Sequence, residues 1–78
     1  MLIRVRGIYG KIFEIVIEYD SSIAKLKQSI ADKEGIPTGI FFLVYAGKVL
    51  KEDKLLTDYR NITRDSVLTC VERPSIGF

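Results

Sequence analysis

Length and composition restrict this chain to one small folded domain. Its 78 residues are 47% hydrophobic and 28% charged, which is enough apolar material for one core and excludes a disordered tail. The single cysteine excludes an internal disulfide and indicates the cytoplasm or nucleus. No window of the sequence reaches the ~20 apolar residues of a membrane span. A net charge of +2 argues against a nucleic acid partner.

The first predicted elements are two strands joined by a hairpin turn. In LIRVRGIYGKIFEIVIE, residues 2–18, apolar and polar side chains alternate on either side of a turn that contains Gly7 and Gly10. A period of two is typical of strands with one buried face, and glycine suits the positive φ of a short hairpin loop. The side chains expected on the apolar face are Ile3, Val5, Phe13, Ile15 and Ile17.

One amphipathic helix follows within SSIAKLKQSIADKEGIP, residues 21–37. Ser22 is a suitable N-cap, Gly35 is suited to the left-handed residue that ends a helix, and Pro37 cannot continue one. Apolar residues at 23, 26 and 30 form a single stripe, so the helix is expected to cover one face of a sheet. The polar residues expected away from that stripe are Lys25, Lys27, Gln28 and Asp32.

The third predicted strand lacks the alternation of the first two. Residues 40–45 read Ile-Phe-Phe-Leu-Val-Tyr, without a charge. Phe41 and Leu43, with Tyr45 as a further candidate, are expected under the helix. Ile40, Phe42 and Val44 then lie on a face that nothing covers in a monomer.

The remaining elements complete a sheet. Ala-Gly-Lys at 46–48 predicts a turn, residues 49–50 a short strand, and residues 51–65 an irregular crossing anchored by Leu56, Tyr59 and Ile62. In the last strand, SVLTCVE, Leu68 and Cys70 lie on one side, and Thr69 and Val71 on the other. This order of elements predicts an α+β roll, in which a mixed sheet packs on one helix.

The inventory of reactive groups gives no support to an enzyme. The sequence contains no histidine, which is the commonest general acid–base, and no spacing of cysteines or carboxylates typical of a metal site. Cys70 is expected to be a core residue, because a reactive thiol needs an exposed, electropositive setting. We therefore expect neither catalysis nor a cofactor.

Several short segments carry a resemblance to a known family. DKEGIP at 32–37 is followed by AGK at 46–48 and LTDYRNI at 56–62, while MLI at the start, EIVIE and SVL occur in the strands. On these segments the chain resembles the ubiquitin-like (β-grasp) family, both ubiquitin and its cullin-modifying relative. The resemblance runs from Met1 to Arg73, with one extra residue near Arg60. We expect a β-grasp domain over residues 1–73 and a flexible tail over 74–78.

The resemblance implies a surface that docks other proteins. The family's apolar patch corresponds to Ile8, Val44 and Val71, with Gly47 and Lys48 beside it. The alternation of the strands also places Val44 and Val71 outward, although single exposed aliphatic residues are common on any protein. Phe42 replaces an arginine of the family and enlarges the patch. The implied partners of such a monomer are helical ubiquitin-binding domains or proteasomal receptors, steered by a basic rim of Arg4, Arg6, Lys48 and Arg73.

The segment after Arg73 departs from the family pattern. Conjugated modifiers end in Arg-x-x-Gly-Gly, whereas this sequence reads Arg-Pro-Ser-Ile-Gly-Phe. This favours a non-conjugating interaction domain of the ubiquitin–proteasome pathway, either alone or as a module of a longer protein. The alternative is an atypical modifier conjugated through Gly77 after removal of Phe78. A third hypothesis, stacking of single-stranded RNA on Phe42 beside Arg4, is disfavoured by the nearly balanced charge.

Overall fold

The predicted α+β roll is confirmed. The computed structural model describes residues 1–74, and the tail positions Ser75, Ile76, Gly77 and Phe78 lie outside the described residues. The strands are β1 (Leu2–Arg6), β2 (Ile12–Val16), β3 (Phe41–Tyr45), β4 (Lys48–Val49) and β5 (Val67–Glu72), and the helix α1 is Ile23–Glu34. The sheet order is β2-β1-β5-β3-β4. Only the central β1–β5 pair of this order is parallel, so the sheet is mixed, as in the β-grasp fold.

The ends of α1 are those that the sequence predicts. The Ser22 hydroxyl accepts a hydrogen bond from the Lys25 N–H at 3.1 Å. Gly35 ends the helix with φ of 71°, and its N–H donates to the Ala31 carbonyl. A residue with a Cβ is strained at that φ, so glycine is what allows the chain to turn back towards the sheet.

The core lies between α1 and the inner face of the sheet, as the alternation predicts. Phe41 and Leu43 are fully buried, and Tyr45 is partly buried against them. The irregular crossing is held by Leu56 and Ile62, which are also buried. The core side chains with no exposed surface are Ile3, Val5, Ile23, Leu26, Ile30, Phe41, Leu43 and Leu68.

Two details of the strands and turns differ from the prediction. The short strand is Lys48–Val49 rather than residues 49–50. Leu50 follows it with a buried side chain, and its N–H still donates to the Leu43 carbonyl at 2.8 Å. In the hairpin turn only Gly10 has a positive φ, of 84°. Gly7 has no positive φ; a Cβ there would meet the end of the Glu34 side chain, which would have to move aside.

The placement of Lys27 on the polar side of the helix is wrong. Lys27 is 2% exposed, and its ammonium lies 5.2 Å from the centre of the Phe41 ring. Its position explains this burial, since it stands four residues after Ile23 and four before Ala31, both buried, and therefore on the same helix face. The Nζ atom is 3.5 Å from Oε1 of Glu52, whose own side chain is 54% exposed.

A lysine of α1 also covers the outer edge strand of the sheet. Lys33 Nζ donates to the Glu14 carbonyl of β2 at 3.2 Å and lies 5.7 Å from the centre of the Phe13 ring. Strand β2 pairs with β1 on one side only. Because an open strand edge is a template for unwanted pairing, a charged group placed against such an edge is a common means of discouraging association.

Candidate docking surface

The strand register brings together three residues of the predicted patch. Phe42 of β3 pairs with Val71 of β5, and Val44, two residues farther along β3, pairs with Thr69. Side chains two residues apart on a strand share a face, so Phe42, Val44 and Val71 adjoin on the outer side of the sheet. Leu43 and Cys70, paired between them, face the core.

Val44 is more covered than the sequence predicts. It is partly buried rather than exposed, because β4 continues the sheet beyond β3 and places Val49 opposite Val44. Val71 and Val49 are 38% and 53% exposed, so both provide accessible apolar surface on the outer face of the sheet. Val49 was not among the predicted site residues. The sequence feature that could have indicated Val49 is the turn at 46–48, which fixes the register of the β3–β4 hairpin.

Gly47 contributes to this surface through its backbone. Ala46 and Gly47 have φ of 53° and 78°, the pair of positive values that a two-residue hairpin turn requires. The turn aligns Tyr45 with Lys48 and Val44 with Val49. Gly47 therefore positions Lys48 at the border of the patch, where its side chain is exposed.

Ile8 reaches the same region from the hairpin turn. The parallel pairing of β1 with β5 ends where Arg6 aligns with Thr69, and Ile8 follows two residues later in the turn, at the end of the sheet where β5 continues to Val71. Ile8 is only partly buried and packs against the core with part of its surface. The patch thus comprises Ile8, Phe42, Val44 and Val71, of which Ile8 also packs against the core.

Arginines border the patch on the outer face of β1. Arg4 and Arg6 are exposed, and Arg6 lies between Ile12 of β2 and Thr69 of β5 in the sheet register. The Arg4 guanidinium is 3.8 Å from the Glu14 carboxylate, with both side chains about half exposed. Exposed pairs of this kind are weak, so Arg4, despite its contact with Glu14, and Arg6 both contribute to the positive potential that an approaching partner meets.

Cys70 lies beneath the patch as a core thiol. Burial, followed by the nearby Glu34 carboxylate, raises its pKa from 9.0 to about 11, while the Lys27 ammonium acts in the opposite direction. The reactive thiolate is therefore scarce at neutral pH. Residues 1–74 contain no group of three or more histidine, cysteine, aspartate or glutamate side chains placed to hold a metal ion. In the same part of the chain, none of the helical structure has the length and apolarity needed to span a bilayer.

Comparison with known proteins agrees with this architecture. Residues 3–75 match the family model described as the ubiquitin family. The chain belongs to the ubiquitin family. The ubiquitin-like protein NEDD8 of Dictyostelium discoideum is 38% identical over 71 residues, 91% of either chain. The NEDD8-like protein RUB3 of Arabidopsis thaliana is 39% identical over 71 residues, which are 91% of this chain and 90% of that protein.

A different kind of relative is a much longer protein. The UV excision repair protein RAD23 homolog B of Bos taurus is 30% identical over 77 residues, covering 95% of this chain but 19% of its own length. The family therefore includes relatives of about the same size as this chain and relatives in which the domain is one part of a larger protein.

Proposed function

We propose that this ubiquitin-family domain is a non-conjugating interaction module of the ubiquitin–proteasome pathway, active in the cytoplasm or nucleus. It binds partners as a monomer through the patch of Ile8, Phe42, Val44 and Val71. Gly47 and Lys48 form the border of that patch. The observation that carries the proposal is the register of β3 with β5, which joins apolar side chains from separate segments into one outer surface.

The chemistry of the patch points to a helical partner with an apolar stripe. Its centre is aliphatic and aromatic, and the exposed cations around it are Arg4, Arg6, Lys48 and Arg73. An amphipathic helix with acidic flanks complements such a surface, because its stripe covers the patch while its carboxylates face the basic border. Helical ubiquitin-binding domains and proteasomal receptors have this chemistry.

Two sequence features support the non-conjugating role. Ile76 stands where the family pattern has the first of its paired glycines, and Phe42 stands where the family has an arginine used by the activating enzyme. The similarity to part of a RAD23 homolog agrees with a domain that acts inside a longer chain.

The patch is tested by comparing two valine substitutions on the outer face of the sheet. Val44→Ala removes a central apolar contact and is expected to weaken binding at least about tenfold, since central anchors contribute about 2 kcal/mol or more. Val16→Ala is the matched control, because Val16 of β2 is 81% exposed but remote from the patch. Lys48→Ala is expected to change affinity only a few-fold and mainly at low salt.

The measurement is a calorimetric titration of each variant with a panel of isolated helical ubiquitin-binding domains. Urea unfolding of each variant checks that the fold is retained. If Val44→Ala binds like the wild type while the Lys48 variant loses binding, the patch is not the docking surface. Equal losses for Val44→Ala and Val16→Ala would also contradict the proposal.

The alternative function is an atypical modifier conjugated through Gly77 after removal of Phe78. The similarity to NEDD8 and to the NEDD8-like protein RUB3, which covers most of this chain and of each relative, supports this alternative. Cell extract with ATP distinguishes the two functions. Higher-mass adducts that disappear with Gly77→Ala would establish the modifier and refute the non-conjugating role.

A further inference from the structure

A cluster of positive charge lies beyond β4, next to the patch but outside it. Two adjoining clefts of about 390 and 460 Å³ share Lys48, Asp58 and Tyr59 in their walls. Lys51 and Lys54 border the first cleft, and Arg60 borders the second. We call the joint feature, bounded by Lys48, Lys51, Lys54, Asp58, Tyr59 and Arg60, the basic cleft.

The charge of the basic cleft is concentrated relative to the rest of the chain. Four cations against one carboxylate give the residues that line the clefts a net charge of +3, whereas the whole chain carries +2; Glu52 and Asp53, between Lys51 and Lys54 in sequence, do not line them. That one carboxylate, Asp58, is already engaged, since its Oδ2 accepts the Leu55 N–H at 2.8 Å. Glu52, next to Lys51 in sequence, lies 3.5 Å from Lys27 instead. The cations of the cleft therefore act on solvent and on any approaching anion.

The backbone that carries these cations is fixed at several points. The Lys51 N–H donates to the Tyr59 hydroxyl at 2.8 Å, and the Lys54 N–H donates to the Lys51 carbonyl at 3.1 Å. The Lys54 carbonyl in turn accepts from the Ile23 N–H at the start of α1 at 2.8 Å. Because the backbone is held in this way, the residues that carry the charges are already close together before a ligand binds, which lowers the entropic cost of binding.

We propose that the basic cleft binds a short acidic peptide segment of a partner protein. Charge complementarity calls for carboxylates, and the exposed Val49 beside Tyr59 offers a contact for one apolar side chain among them. A nucleic acid would need a long basic track, whereas the nearly balanced charge of the chain confines the positive field to this cleft. This site goes beyond the proposed function, because an acidic segment binds here whether or not the patch is occupied.

The position of the cleft shows how it would extend the patch. Val49 pairs with Val44, and Lys48 lies at the border of both surfaces. A partner helix seated on the patch and followed by an acidic segment would enter the cleft directly. The linked contacts would then raise the affinity through a high effective concentration of the second segment.

The test uses a glutamate-rich peptide with one phenylalanine and no helix-forming apolar stripe. Lys51→Gln with Lys54→Gln is expected to weaken its binding about fivefold to twentyfold at low salt, because each exposed charge pair contributes up to about fivefold in affinity. The matched control is Lys11→Gln with Lys25→Gln, which removes the same charge from exposed lysines that do not line the cleft. The control should bind within about twofold of the wild type.

Amide chemical shifts recorded during the titration identify the surface that is used. Shifts centred on Lys51, Lys54 and Tyr59, with loss of binding only in the cleft variant, support the proposal. Equal losses of affinity in both double variants would show that binding depends only on net charge and would overturn the proposal. Tighter binding of a single-stranded oligonucleotide or of anionic vesicles would also overturn it. Shifts centred on Val44 would refute the cleft, whereas Val44→Ala tests the patch separately.

Discussion

Removing the charge of Lys27 is expected to disturb the fold less than removing the charge of its partner Glu52. The Lys27 side chain is 3% exposed, while the Glu52 carboxylate 3.5 Å away is 54% exposed. In Lys27→Met the freed carboxylate returns to water, and the flexible methionine side chain fills the vacated space. In Glu52→Gln the ammonium stays buried, with a neutral amide and the Phe41 ring in place of a counter-charge.

The magnitude follows from the unequal burial of the two groups. At the 3.5 Å separation of the pair, the attraction in an effective dielectric of about 20 is roughly 5 kcal/mol, most of which desolvation offsets. Exposed pairs contribute below about 1 kcal/mol, and unpairing a fully buried charge costs about 3–5 kcal/mol. Glu52→Gln falls between these limits, at about 2 kcal/mol of unfolding free energy. Lys27→Met is expected within about 1 kcal/mol of the wild type.

Urea unfolding of the two variants and of their combination measures this asymmetry. The midpoint and the m-value of each curve give the free energy of unfolding. The combined variant should be more stable than Glu52→Gln alone, because it no longer buries an unpaired charge. The reasoning fails if Lys27→Met loses about 3 kcal/mol or more while Glu52→Gln unfolds like the wild type.

Three further predictions concern the core, the thiol and the open edge of the sheet. Leu43→Ala should lower the free energy of unfolding by about 2–5 kcal/mol and Val44→Ala by about 1 kcal/mol, measured in urea; equal losses would contradict the register. The Cys70 pKa is raised from 9.0 to about 11, so the stability that the protonated thiol contributes is complete below pH 9.0 and lost towards about pH 11. Unfolding free energies over that range should therefore fall less in Cys70→Ala than in the wild type, and an identical fall would refute the assignment. Lys33→Ala should raise the mass seen by light scattering at high concentration, whereas Lys25→Ala should not, because only Lys33 contacts the β2 edge.

Local signals in the sequence were sufficient for much of the fold. Ser22 and Gly35 mark the ends of α1 because capping depends on the residues next to the helix end. Phe41 and Leu43 are buried as predicted, because alternation fixes the face of a side chain once a strand is recognised. These inferences need no knowledge of what lies across the sheet.

Lys27 shows where the residue type was misleading. Its helix position lies between Leu26 and Ala31 on the buried side, but the residue type favours the polar side, because lysines are rarely buried. The compensating groups, Glu52 and the Phe41 ring, are distant in sequence. A helix projection alone would have indicated the burial, but not the ion pair that makes it tolerable.

The candidate surfaces depend on pairing between distant segments, so only part of each could be predicted from the sequence. The outward direction of Phe42 and Val44 followed from alternation, but the partial cover of Val44 by Val49 depends on the turn that sets the hairpin register. The basic cleft was not predicted, because it forms where an irregular crossing folds Lys51 and Lys54 against Tyr59. Irregular segments carry no period from which such a juxtaposition can be inferred.

The parallel pairing of β1 with β5 has a consequence for how the domain forms during synthesis. Val5 aligns with Leu68, so β1, the first strand to leave the ribosome, can pair with its central neighbour β5 only after that last strand has been synthesised. Until Val67 and the residues after it have emerged, β1 and β3 both keep open apolar edges, because β5 separates them in the sheet. Such long-range closure slows folding and prolongs the exposure of aggregation-prone strands. A translation product that stops within the irregular crossing is therefore expected to be a target for chaperones and proteases rather than a partly working domain.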